Sequence, residues 1–430
     1  MKKIQYIIQA TFLLGVVSLT SCKKDFVNPN APTTDQVFSS ARGLVGVNIG
    51  NQRTYALGGA SVLYSVVTTN GFATNEVILM NSGNTAEFQF SRGGSSVDAT
   101  NTVLANAWTN ANKVINDANA VINAAAKLTD KSYASGLIAH ASILKALSLG
   151  TMSMLWTKVP DTIGKNVTFS DRMVGYEKAI ATIDNALAAI TANAISASYA
   201  TDAVAGIDYV NTLYALKARY AMFSGKYAIA LAAANQVDLT KKSTFNFDAV
   251  APNPIFFTVT STNNVYQAID STLGLPAALA PTAGDGRIAF YTSINTTINP
   301  RFRIKGFYDA TTTGVPVYLP SEMTLIKAEA YARTNDLANA LVELNKVVTK
   351  SAASDPFKVG AGLTASTAST QTDLLTEIYK NRCIELYMSG LKIEDMRRFG
   401  RPTSEMKRNF FPYPFKERDG NPNTPADPSF

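Results

Sequence analysis

The sequence predicts a mainly α-helical fold: tetratricopeptide-like helical hairpins stacked as an α–α superhelix, with long irregular inserts and a few short strands. Three observations carry that expectation. Apolar residues recur at a period of about 3.6 residues in several segments, a helix–turn–helix unit occurs twice, and long polar stretches separate the periodic segments.

The chain begins with a leader. Lys2 and Lys3 supply its charge, and a mostly apolar run from Ile4 to Leu19 follows, interrupted by Gln5, Gln9 and Thr11. This run is shorter than the roughly 20 residues a membrane span needs. It ends in Leu19-Thr20-Ser21-Cys22, the pattern at which bacterial lipoprotein leaders are cut. Residues 1–21 are expected to leave, Cys22 to become an acylated (palmitate-type) N-terminus, and residues 22–35 to form a lipidated tether to one domain spanning 36–430. Each buried methylene contributes about 0.8 kcal/mol, so two or more acyl chains anchor stably where one holds marginally.

Composition narrows the chemistry. A chain of 430 residues with 46% hydrophobic content buries a substantial core. With Cys22 acylated, Cys383 is left alone and no intramolecular disulfide is possible; its place on an apolar helix face reads as a core residue. The net charge of +7 falls to +5 once Lys2 and Lys3 leave. Much of the remaining excess lies between Lys380 and Arg418, interleaved with acids, which argues for a salt-bridged face and against a nucleic-acid partner.

Helical stripes follow in chain order. Val114, Ala118, Val121, Ile122 and Ala125 mark one; Tyr176, Ala179, Ile180, Ile183, Leu187 and Ile190 mark another. Further helices are expected at about 133–155, 209–223, 226–237, 321–333 and 373–389. Residues 75–102 and 240–320 form the inserts, and loops of that length are usually functional or disordered. Within them Phe88-Gln89-Phe90, Ile255-Phe256-Phe257 and Arg301-Phe302-Arg303-Ile304 are expected as small strands.

Leu216–Val237 aligns without gaps on Ile326–Val347. Lys217, Ala218, Ala228, Ala230, Leu231, Asn235 and Val237 recur as Lys327, Ala328, Ala338, Ala340, Leu341, Asn345 and Val347. Gly225 and Asn335 break the two copies where a left-handed residue ends one helix, and Ala230 and Ala340 mark the crossings. Near the C-terminus Glu394 and Asp395 stand four and three residues before Arg398, so both acids are expected on one guanidinium. Asp395, Arg397 and Arg398 read as structural, and Gly390 and Gly400 as helix stops.

These C-terminal motifs carry a resemblance. Asn381–Pro402 (NRCIELYMSGLKIEDMRRFGRP) and the proline-rich Phe411–Asn423 (FPYPFKERDGNPN) resemble the SusD/RagB family of surface nutrient-binding lipoproteins. Trp108, Asn119 and Val121-Ile122 resemble its first long helix, and Leu144–Pro160 its second. The Lys392-Ile393-Glu394 stretch departs from the aromatic pair that the family often places there.

The resemblance implies a protein anchored in the outer membrane through its lipid and facing the cell exterior. It implies a SusC-like TonB-dependent barrel as partner, and the residues nominate no cofactor and no metal site. The ligand is an oligosaccharide or a peptide, with a glycan expected first. The candidates for contact in the first insert are Phe88, Phe90 and Arg92, and in the second Phe290, Tyr291, Phe302, Arg303 and Tyr308. Each of these aromatics either stacks on ligand or anchors its loop. No enzyme is expected, because a triad or zinc site would depend on the single histidine, His140, which sits on an apolar stripe. Two other readings stay open: a scaffold that stabilises the barrel without a ligand of its own, and a surface glycoside hydrolase using paired carboxylates.

Overall fold

The computed structural model describes residues 34–260, 263–297 and 299–430. The leader at 1–21 and Cys22 lie outside the described residues. The architecture is the expected one, a helical superhelix with short strands in its inserts.

The helices begin where capping residues satisfy their free N–H groups. After α1 (Ala41–Ala56), α2 (Val62–Ala73) and the short α3 (Thr85–Arg92), Asn101 caps α4 (Thr102–Ala125), accepting from the Val103 and Leu104 amides. Asp130 caps α5 (Lys131–Leu155), Asp171 caps α6 (Arg172–Ala192) and Asp208 caps α7 (Tyr209–Phe223). α8 (Tyr227–Ala234), α9 (Pro320–Arg333), α10 (Leu337–Val348), α11 (Gln371–Glu385) and α12 (Lys392–Arg398) follow. α11 stops earlier than expected, because the chain turns at Met388, whose φ is +58°.

α5 is the central rod, packed between α4 and α6 and touching α1 and α7. It is long and apolar enough to cross a membrane, yet nearly all of it is buried in the fold, which makes it the core helix. Its Gly150 permits a close approach: an added Cβ would lie 2.3 Å from the Tyr220 ring. The repeat folds as its sequence implies. Gly225 (φ +72°) and Asn335 (φ +64°) turn α7 into α8 and α9 into α10, Ala230 and Ala340 are fully buried at the crossings, and α8 packs on α9 so that the two hairpins stack.

Among the described residues the strands form antiparallel pairs only. These are β1 (Val77–Leu79) with β5 (Tyr266–Ala268), β2 (Lys158–Pro160) with β3 (Phe169–Asp171), β4 (Thr244–Phe245) with β8 (Val315–Pro316), and β6 (Thr292–Ile294) with β7 (Phe302–Ile304). The expected strand at Phe302–Ile304 is present. The other two are corrected: Phe88–Phe90 lies inside helix α3, and Ile255–Phe257 inside a short helix, Pro254–Val259, capped by Asn253. Two residues turn a helix through about 200°, so an aromatic pair spaced by two alternates in and out of the core as it would on a strand. Phe90 packs against Phe72 and Phe411, while Phe88 faces out.

Candidate ligand-binding surface

The two inserts meet in space. β1, from the first, pairs with β5, from the second, in the register Val77↔Ala268 and Leu79↔Tyr266. Gln267 extends the join: its amide nitrogen donates to the Val259 carbonyl (2.8 Å), and its oxygen accepts from the Ile304 amide of β7 (3.0 Å). Arg303 donates to Asn264 at 3.0 Å. This layer leaves several apolar side chains open to solvent: Phe88 is 41% exposed, Phe257 57%, Ile294 60% and Ile78 37%.

The candidate contact residues divide by burial. Phe88 and Arg92 are exposed on α3, and Phe302 and Arg303 are half-buried on β7. Phe90, Tyr291 and Tyr308 are interior. The Tyr291 hydroxyl donates to the Glu385 carbonyl (2.5 Å) and that of Tyr308 to the Met388 carbonyl (2.7 Å), so both pin the second insert to the end of α11. Phe290 is half-buried, edge-on to Tyr291 (4.9 Å) and Phe307 (5.3 Å). Three of the eight therefore serve in this structure as anchors. The sequence reading missed Phe257 and Ile294 as open apolar side chains. The Asn253-Pro254 helix start was the available signal for Phe257.

The C-terminal motif forms a buried ion network that joins α9, α11 and α12. Arg398 makes two bonds to Glu329 (2.7 Å each) and one to Asp395 (2.8 Å), and Arg382 grips Asp395 at 2.9 and 3.0 Å. The Arg398 guanidinium, with Arg382 and Arg333 beside it, overcomes burial and holds the Glu329 carboxyl down at about 2. The expected Glu394–Arg398 pair is corrected: Glu394 turns to Arg172 (2.9 Å) and Arg397 (2.8 Å) and ties α12 to α6. Glu394, Asp395 and Arg398 thus lock α12 against α6, α9 and α11, and Arg397 adds the Met154 carbonyl at the end of α5 (2.7 Å).

His140 is buried, with Nε2 2.8 Å from the Gln52 side-chain oxygen, and burial lowers its pKa to about 4. Cys383 is buried, and burial pushes its thiol up to about 12. Neither is presented to a substrate. Among the described residues no cluster of three or more His, Cys, Asp or Glu side chains is arranged to hold a metal ion.

Fold and site together define a superhelix of tetratricopeptide-like hairpins that carries a two-insert surface layer. The comparisons show what this fold is similar to. Residues 301–427 match the model of the SusD family (SusD_RagB), which bears out the resemblance read from the C-terminal motifs. A SusD superfamily protein from Bacteroides fragilis is similar to this chain, with 17% identity over 90% of this chain and 99% of its own, at a TM-score of 0.67. A laminarin-binding SusD-like protein superposes with 15% identity over 91% of this chain and 99% of its own, at a TM-score of 0.69. A SusD-like carbohydrate-binding protein from Bacteroides vulgatus gives 16% identity over 84% and 83%, at a TM-score of 0.64. No curated protein matches the sequence. The fold is that of the SusD superfamily.

Proposed function

We propose that this chain is a cell-surface lipoprotein, acylated at Cys22, that binds a glycan across the joined inserts and delivers it to a SusC-like TonB-dependent barrel in the outer membrane. The carrying observation is the open apolar layer, Phe88 and Phe257 above all, held on a base fixed by Tyr291, Tyr308 and Gln267. Aromatic faces stack on the apolar faces of sugar rings, and Arg92, Phe302 and Arg303 stand on the same inserts to meet hydroxyls and further rings. Two proteins of this fold, one described as laminarin-binding and one as carbohydrate-binding, support a glycan over a peptide. Binding without chemistry accords with the burial of His140 and Cys383.

Calorimetric titration of residues 23–430 with a panel of oligosaccharides and peptides tests the reading. Heat of binding without product is expected for at least one glycan. Phe88→Ala and Phe257→Ala should each weaken it about fivefold, from the loss of about 1 kcal/mol of stacking. Phe90→Ala should instead destabilise the fold by about 3–5 kcal/mol. Product formation would point to a hydrolase, and silence across the panel to a scaffold.

A further inference from the structure

A groove of about 330 Å³ lies on the helical scaffold, between α4, α5, α6 and the turn after β2. Its size falls at the lower end of the roughly 300–1,000 Å³ typical of small-molecule sites. We propose that it is a second binding site, for a sugar unit bearing a carboxylate, with the acid held at Lys145.

Three features converge there. Lys145 projects from the buried rod α5, flanked by Leu144 and Ala146, both fully buried. It has no hydrogen-bond or ion-pair partner among the described residues, so its ammonium faces the groove uncompensated. Burial, and after it the charge of Lys178, push its pKa down, a cost that a bound anion relieves. Lys178, on α6, is engaged by Asp161, donating to its carbonyl at 2.9 Å and lying 3.6 Å from its carboxylate, so the unpaired positive charge of the groove is that of Lys145. Asp161 is the one carboxylate lining the groove, and it is already committed to Thr168, Ser170 and Lys178.

The remaining walls suit a sugar ring rather than a bare anion. Asn119 and Asn185 line the groove with no hydrogen-bond partner among the described residues, and Asn112 uses only its amide nitrogen, toward the Trp108 carbonyl at 3.0 Å. Such amides both donate to and accept from hydroxyls. Ile115, Leu149 and Met152 give an apolar floor for the C–H face of a ring. The charge, the amides and the floor together match a hexuronate, and this assignment does not depend on what the inserts bind.

The test is an NMR titration of the lipid-free chain, labelled at methionine methyls, with glucuronate, glucose and acetate in separate arms. Saturable binding of glucuronate that shifts the Met152 methyl is expected, with glucose and acetate each at least about tenfold weaker. Lys145→Gln should reduce glucuronate affinity at least about tenfold, and Asn185→Ala, at an exposed position, by a smaller factor. The proposal is overturned if glucose binds as tightly as glucuronate, if acetate matches glucuronate, if none saturates, or if a folded Lys145→Gln chain binds glucuronate like the parent.

Discussion

Glu76 and His140 are both buried, and burial moves them in opposite directions. The Glu76 carboxyl rises to about 6 against the pull of the Lys392 ammonium, and the His140 imidazole falls to about 4. Between pH 4.5 and 6 the unfolded chain ionises this glutamate before the folded one does, so its contribution to stability falls as pH rises. The histidine works the other way. Its full contribution is present above about pH 6.5 and is lost as pH falls toward 4, because the unfolded chain takes up the proton first. Over the shared window the two slopes oppose each other. Glu76→Gln removes one and exposes the other, while its side-chain oxygen still accepts from the Met388 amide. Relative to the parent, the variant should gain about 2 kcal/mol between pH 4.5 and 7 in urea unfolding. A difference that stays constant with pH would show that Glu76 ionises in the folded chain as it does in water.

At the scale of elements, the repeat makes a paired prediction possible. Gly225 and Asn335 occupy equivalent left-handed turns, and nothing lies within 4 Å of a Cβ added at Gly225. Gly225→Ala therefore tests backbone strain alone and should cost about 1–2 kcal/mol in thermal unfolding. Asn335→Gly should change stability by less than about 1 kcal/mol, since asparagine tolerates this conformation and glycine adopts it freely. The same repeat shows what the sequence makes legible. The alanines at 230 and 340 and the turn residues at 225 and 335 are local in sequence, and the folded hairpins keep them in place. The inserts are less legible, because the outward face of α3 is set by Phe72, on the preceding helix, and by Phe411, near the other end of the chain. For the same reason Asp395 was visible as a partner of Arg398 three residues away, whereas Glu329, sixty-nine residues upstream, was not. The inserts were legible as the segments to watch. Which of their aromatics open to solvent was not.

Across the whole molecule, the proline-rich C-terminal segment straps the first half of the scaffold to the rest. Trp156 donates to the Pro412 carbonyl at 3.0 Å, Trp108 donates to Glu417 at 3.0 Å, and the Tyr413 hydroxyl bridges the Lys158 amide and carbonyl at 3.0 Å each. The Tyr413 ring also stands edge-on to Trp108, with centroids 5.6 Å apart. Just upstream, Lys407 donates its amide to the Ala73 carbonyl at the end of α2, and Arg408 reaches the Val97 carbonyl inside the first insert. The strap therefore holds the base of the candidate ligand surface as well as the helices. Because the chain has only two tryptophans and both lie under this segment, their fluorescence reports its docking. Tyr413→Ala removes a fully buried ring and the hydroxyl's hydrogen bonds to Lys158 and Thr157, at a cost of about 3–5 kcal/mol. The expected result is a red-shifted tryptophan emission and a lower unfolding midpoint. Glycan affinity should fall too, although Tyr413 makes no ring contact or hydrogen bond with Phe88 or Phe257, because Arg408 and the Phe411–Phe90 contact carry the loosening into the first insert. An unchanged emission spectrum in a folded Tyr413→Ala chain would mean that the segment stays docked through its other bonds, and a shifted emission with unchanged glycan affinity would mean that the inserts do not depend on it.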